Sequence, residues 1–374
     1  MLLLLPAAGL FPHNSHAMDS REIFYVGTFD SQGLFVYEFD RSSMKMTLVQ
    51  TVGERQSPNF QALHPDRETL YSVSGHTFTD DTGHHTVSAY RIDGETGHLS
   101  MINEQSSEGR GVCHVSVDPQ GEFVYVSNYS SGNLSVYRIQ EDGGLSEAVD
   151  VVQHEGGSVN ERRQQGPHVH SIIPSPDGRY IYVSDLGIDK IMIYEVNRQT
   201  GGLSPASVPF VENTPGAGPR HFTIHPNGTV AYSVEELSST VAVFRVDKQT
   251  GALEQIQRIE MLPEDYEDQN TAADIHISPD GSHLYATNRG DDSLVIYRID
   301  QLSGELELVG HESTRGGHPR NFGIDKQGEF VFVANRDDDN VVFFSRDEAT
   351  GVLQYTGMEI EAPAPVCVTQ LIPD

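Results

Sequence analysis

Histidine, arginine and glutamate side chains recur at fixed distances from a repeated turn, and together they could hold an anion and activate a water beside it. Six residues before that turn stand, unit by unit, Asn59, Cys113, His170, Arg220, Ala273, Arg320 and Cys367. Ten residues after it stand Gly75, Tyr129, Leu186, Glu236, Arg289, Arg336 and Phe29. A purely structural position would repeat one residue type. Instead the third to sixth units supply His170, Arg220, Glu236, Arg289, Arg320 and Arg336, while the opposite arc is small or apolar. The planar guanidinium fork suits carboxylate or phosphate, and a half-enclosed mouth strengthens each contact. His170 or Glu236 beside such a cluster has the chemistry of a general base. His168 is a second histidine at the same place, and Arg163, in a long loop before it, could reach over the mouth.

Plainer explanations exist for each residue alone. A rim histidine is usually satisfied by its neighbours, Arg220 and Glu236 could simply pair, and so could Arg320 and Asp274. His221 follows Arg220 directly, so strand alternation places it on the opposite face. His225 lies in the turn and is expected to be solvated. Nine residues after the turn stand Ser74, Asn128, Asp185, Glu235, Asn288, Asn335 and Thr28. That column is small or polar throughout, which suits bonding of the turn backbone.

The elements that position these residues form a repeat. Each unit has a short apolar strand, a Pro-Asp-Gly-like turn, a strand of alternating Tyr and Val, a polar turn and a third alternating strand. The turns centre on Pro65, Pro119, Pro176, Pro226, Pro279 and Lys326, with spacings of 54, 57, 50, 53 and 47 residues. A Gly-containing turn then leads to a short fourth strand, as in RQTGGLS and KQTGALE. The C-terminal VCVTQLIPD copies the innermost strand and stops at the turn; the N-terminal REIFYVGTFD copies the second strand, on the far side of that turn. These features predict an all-β, seven-bladed β-propeller of four-stranded antiparallel blades, the last blade closed jointly by the two termini. The units abut without linkers, so residues 21–374 read as one domain. The inserts His76–His85, Gln153–Gln165 and Leu262–Asn270 are polar and are expected on the surface.

Composition narrows the partners. With 24 basic and 54 acidic residues in 374, the net charge is -30, which repels nucleic acid and anionic membranes. Two cysteines make no disulfide framework, and a buried free thiol is the default for each. No Zn-type Cys/His spacing occurs. The apolar run Leu2–Phe11 is too short to span a bilayer. Residues 1–20 read either as a mis-assigned start, leaving a cytoplasmic protein, or as a signal peptide cleaved after Ser15-His16-Ala17, giving a periplasmic or secreted one. Nothing in the pattern sets an oligomeric state.

The segments NERRQQGPHVHS, SDLGIDKI, GPRHFTIHPNG, EELSSTVAVF, TNRGDDSLVIY and GGHPRNFGI resemble the lactonase family of seven-bladed propellers, which includes 6-phosphogluconolactonases and a fungal carboxy-cis,cis-muconate cyclase. The likeness runs from about Glu22 to the C-terminus. It implies hydrolysis of a small anionic sugar δ-lactone, most simply 6-phosphogluconolactone, with no cofactor and no metal. The site proposed for the cyclase carries over to His170, Arg220, Glu236 and Arg289, with His168, Arg320, Arg336 and Arg163 as substrate-binding neighbours. Other readings are a lactone-forming cyclase, a non-enzymatic propeller holding an acidic partner, and a calcium-dependent lactonase. The last would need carboxylates converging where these columns hold arginines.

Overall fold

The computed structural model describes residues 21–29, 32–53, 57–75 and 85–371. Within them twenty-eight strands, β1–β28 in chain order, form seven four-stranded antiparallel sheets. The closing blade has the order β28-β1-β2-β3. Its β28 (Pro365–Leu371) pairs with β1 (Arg21–Thr28) through Tyr25 opposite Thr369 and Val26 opposite Val368. The ring is therefore closed by both ends of the chain, as the split repeat requires. The segment 1–20 lies outside the described residues. Among those described, no helix is long and apolar enough to cross a membrane.

The Tyr/Val alternation becomes two buried faces. Val and Ile side chains pack between neighbouring sheets, so each apolar cluster joins two blades; Val234 and Val241 pack with Leu284 and Val295 in one of them. A second cluster brings Phe24 and Phe39 against Phe332 and Phe343 across the closure. The repeated tyrosine adds a polar clamp. Tyr25, Tyr71, Tyr232 and Tyr285 each donate to the carbonyl of a glycine in the outer turn of the following blade: Gly97, Gly143, Gly304 and Gly351. A buried phenol needs such a partner, and the contact fixes one blade against the next.

One departure from regular strands decides where the site residues point. All seven innermost strands shift register at or beside the position six before the turn: between Pro58 and Phe60, Val112 and His114, Val169 and Ser171, Pro219 and Phe222, Ala272 and Ile275, Pro319 and Asn321, and Pro365 and Cys367. A bulge adds a residue to one strand and re-aims side chains. Simple alternation therefore fails there, and Arg220 and His221 both turn toward the central channel instead of opposite faces. The expectation that His221 points away from the channel is corrected by this bulge.

The inserts divide. Leu262–Asn270 is mostly exposed, as expected. Gln153–Gln165 is not merely a surface loop, because His154 and Gln164 are buried and the segment folds back over the mouth. His154 is drawn in by the Asp185 carboxylate at 2.7 Å. The third insert lies outside the described residues except for His85, which is buried.

Candidate active site

Apart from Arg163, the site residues stand at or near strand ends. Arg220 belongs to β16 (Pro219–Ile224), and Glu236 directly follows β17 (Val230–Glu235). Gly218 joins the two: its carbonyl accepts the Glu236 N–H at 2.7 Å, and its own N–H reaches Asp189 Oδ1 at 2.7 Å. Its φ is +67°, and an added Cβ would lie 2.7 Å from Leu237 Cγ, so the position calls for glycine on both counts. Asp189 itself adopts φ 53°, which aspartate tolerates better than most residues. From that tip it binds the N–H groups of Gly216 and Gly218 in the next blade, setting the approach to Arg220. Asp292 and Asp339 repeat the device, bonding the N–H of His318 at 2.8 Å and of Ala364 at 2.7 Å.

Three arginines converge on the buried Glu236 carboxylate. Arg163 Nη2 lies 2.5 Å from Oε1, Arg220 Nε 3.1 Å from Oε2, and Arg289 Nη2 2.9 Å from Oε2. Arg289 ends β21 (His283–Arg289) of the following blade, and Arg163 comes from the folded-back insert. Backbone carbonyls anchor two of them: Arg220 Nη1 donates to Ala273 O at 2.5 Å and Arg289 Nη2 to Ala272 O at 2.6 Å. Burial works to raise Glu236, but Arg289, Arg220 and Arg163 outweigh it and hold the carboxyl well below the usual range. It stays ionised and is a poor proton acceptor.

The cations outnumber that one carboxylate. Arg320, in β24 (Pro319–Ile324), stacks its guanidinium 4.9 Å from the Phe29 ring centroid. Burial and repulsion by Arg220 and Arg289 push it down, and burial and Arg289 lower Arg220 to about 10. Such mutual repulsion of half-desolvated cations is relieved by an incoming anion.

His170, in β12 (Val169–Pro174), is 3% exposed and its Nδ1 has no protein partner. Burial, then Arg220, His221, Arg320 and Arg289, lower it well below the ordinary histidine range, so the resting ring is neutral. His168 faces Tyr129, ring on ring at 4.4 Å, and its Nδ1 lies 2.9 Å from Tyr129 O. Tyr129 touches His170 edge-on at 5.5 Å and its hydroxyl lies 3.1 Å from Arg163 Nη2.

Of the eight residues singled out by sequence, His170, Arg220, Glu236, Arg289, Arg163 and Arg320 share this mouth, and His168 borders it through Tyr129. Arg336 lies at the rim beside His318, and its Nε bonds the exposed Asp337 at 2.7 Å. Arg320 does not pair with Asp274, whose carboxylate is taken by His221, His276 and Asn321. His225 is buried, not solvated, with Nε2 3.0 Å from Gly281 O of the next blade. Both cysteines are free and buried, as expected. Asp185 serves the backbone, accepting from the N–H groups of His168 and Gly187.

Two residues were missed. Tyr129 already stood in the column ten after the turn, and His318 occupies the register position of His168, eight before it. His318 Nε2 is buried without a partner; burial, then Arg289, Arg336 and Arg320, lower the ring to about 3. Among the described residues no group of three or more His, Cys, Asp and Glu could hold a metal ion.

A propeller whose mouth gathers arginines around one glutamate and a neutral histidine defines the class of protein. Residues 23–370 match the family described as Lactonase, 7-bladed beta-propeller, and the chain belongs to that family. It is 35% identical over 313 residues to a 6-phosphogluconolactonase of Bacillus subtilis, covering 82% of this chain and 86% of that one. A 6-phosphogluconolactonase of Formosa agariphila is 36% identical over 308 residues, 80% of this chain and 86% of the relative. Among solved structures, the periplasmic gluconolactonase of Pseudomonas aeruginosa superposes with a TM-score of 0.89 at 32% identity, covering 95% of this chain and all of that one.

Proposed function

We propose that this mouth hydrolyses the δ-lactone of a phosphorylated sugar acid, 6-phosphogluconolactone, to the open acid. The chain is a lactone hydrolase by family and by its relatives. The phosphorylated substrate is supported by one observation above all: three arginines, Arg163, Arg220 and Arg289, share the single Glu236 carboxylate, and Arg289 sits close enough to Arg220 to repel it. A dianionic phosphate restores the balance, and its oxygens match the guanidinium fork.

A lactone is an activated ester, so modest help suffices. Neutral His170 takes a proton from water as the oxygen attacks the carbonyl carbon. Burial depresses this ring first and the arginines second; a bound anion offsets the arginine part, which makes the ring a better base in the complex than in the free protein. One guanidinium, from Arg220 or Arg289, stabilises the oxyanion. Glu236, held ionised, orients the arginines and does not act as the base. The tetrahedral intermediate then expels the ring oxygen, which takes the proton back from His170 and leaves as a hydroxyl, returning the ring to its neutral state.

A second reading is the unphosphorylated glucono-lactone, favoured by the likeness to the periplasmic gluconolactonase. The test is acid release from both lactones, measured above spontaneous hydrolysis. The phosphorylated substrate is expected to show the lower KM. Arg220→Ala and His170→Ala should each reduce kcat/KM by roughly 10²–10³-fold. Full activity in both variants would overturn the assignment.

A further inference from the structure

The position eight before the turn carries glycine in the second and fourth blades and histidine in the sixth, on the same backbone. Gly111 and Gly218 stand there at φ 66° and 67°, and His318 at φ 58°. The surroundings of Gly218 and His318 match bond for bond. Asp189 Oδ1 accepts the Gly218 N–H at 2.7 Å, and Asp292 Oδ1 accepts the His318 N–H at 2.8 Å. The Gly218 carbonyl accepts the Glu236 N–H at 2.7 Å, and the His318 carbonyl accepts the Arg336 N–H at 3.2 Å. A side chain in this left-handed region strains the backbone, and glycine avoids the strain. The sixth blade therefore keeps a histidine where its backbone is better served by glycine, and strain of that kind is retained where a side chain has work at a site.

The ring has the features of a hydrogen-bond acceptor. Its Nε2 has no protein partner. Asp337 Oδ2 lies 3.8 Å from Nδ1, which favours the proton on that nitrogen and leaves Nε2 bare. Burial, then Arg289, Arg336 and Arg320, hold the ring low, so it stays neutral and offers its lone pair without taking up a proton. The side chain is 23% exposed, and the broad second torsion of histidine lets a small turn of the ring present Nε2 to the mouth. Acceptors are scarce among the side chains gathered here. Arginines only donate, and Arg163, Arg220 and Arg289 already occupy the Glu236 oxygens. The Tyr129 hydroxyl is taken by Arg163.

We propose that His318 determines substrate specificity, its Nε2 accepting a hydrogen bond from a ring hydroxyl of the sugar lactone; this rests on the lactonase reading above. A sugar lactone offers two kinds of group. Its carbonyl and any phosphate are acceptors, which the guanidinium groups meet. Its ring hydroxyls are also donors, and no arginine can receive them. A bare imidazole nitrogen repels the lone pairs of a phosphate oxygen and draws a hydroxyl, so the two kinds of group sort to different sides of the mouth. A lactone without that hydroxyl leaves the nitrogen unbonded in a desolvated place, and the site discriminates against it.

The experiment compares intact wild type with His318→Gly and His318→Gln on 6-phosphogluconolactone and glucono-lactone, which share their ring hydroxyls. His318→Gly removes the ring and the strain together, so its melting temperature should equal or exceed that of wild type. Its kcat/KM should fall about 10-fold on each lactone that wild type hydrolyses, mostly through KM, because the bond is made to ground state and transition state alike. His318→Gln sets an amide oxygen near the place of Nε2 and should recover most of the loss. Wild-type kcat/KM in His318→Gly, a loss confined to the phosphorylated lactone, or a loss that His318→Gln does not mend overturns the hydroxyl contact and leaves the lactonase reading intact. A His318→Gly that melts well below wild type shows a ring kept for packing and overturns it as well. A wild-type protein inert on both lactones overturns the lactonase reading and this inference with it.

Discussion

Glu235 and Glu236 stand side by side at the end of one strand, both buried and both met by arginine, yet they serve different regions. Glu235 faces the seam within and between blades. It accepts Asn213 Nδ2 at 2.9 Å, Thr240 Oγ1 at 2.5 Å and Arg258 Nε at 2.7 Å, tying the inner strands to the outer one. Its counterparts do related work: Asn128, Asn288 and Asn335 donate to the carbonyls of Ser107, Met261 and Thr314, which lead in from the preceding outer strand. Glu236 faces the channel and gathers arginines from three separate segments. Every partner of Glu235 comes from its own blade or the stretch just before it, whereas the partners of Glu236 are up to 73 residues away. Repetition around the ring marks structure, and departure from it marks chemistry.

Breaking the comparison at its centre gives the largest effect. Glu236→Gln should lower kcat/KM by roughly 100-fold and cost about 3 kcal/mol or more of stability, because three arginines lose their counter-ion. Glu235→Gln should cost about 1–3 kcal/mol in denaturant unfolding while the folded enzyme keeps its activity. If Glu235→Gln instead abolished turnover in the folded protein, the division between the two columns would be wrong.

The next effect is on pH dependence. His114, His170 and His221 are all held below the ordinary histidine value, first by burial. Above about pH 6.5 both the folded and the unfolded chain leave them neutral, so they contribute nothing. As pH falls below 6.5 the unfolded chain binds protons that the fold refuses, and stability drops. For His221 the loss continues to about pH 4. Each such group removes about 1.4 kcal/mol per pH unit, offset in part by His276, whose raised value favours the folded state at acid pH. His318, also held low, adds to the loss, so unfolding free energy measured in urea should fall by about 3–4 kcal/mol between pH 7.5 and 5.5. A flat profile would show that these rings are charged or exposed.

The smallest effect is expected at the rim. Arg336 is partly exposed and bonds Asp337, so Arg336→Ala should change kcat/KM by no more than about 3-fold. A loss as large as that of Arg220→Ala would move Arg336 into the anion-binding group.

Legibility followed the same division. Blade count, closure and the two site columns were readable because turn residues and strand alternation are local and repeat seven times. Tyr129 was visible in its column but carried no signal of its role, since only its contacts with Arg163 and His168 reveal one. His225 was misread because a turn histidine looks solvated until the next blade's Gly281 covers it. His221 was misread because alternation was assumed through a residue pair where the strand bulges.

By itself, the sequence determined the propeller, the split closing blade and the arc that carries arginine, histidine and glutamate, because each depends on short-range pattern and register. Only the tertiary structure decided which charges meet. Arg163 reaches Glu236 across 73 residues through an insert folded over the mouth, and the bulge beside Arg220 turns His221 toward Asp274, one blade away. Those pairings depend on how blades pack and where a strand departs from its period, and neither is written in the spacing of one segment.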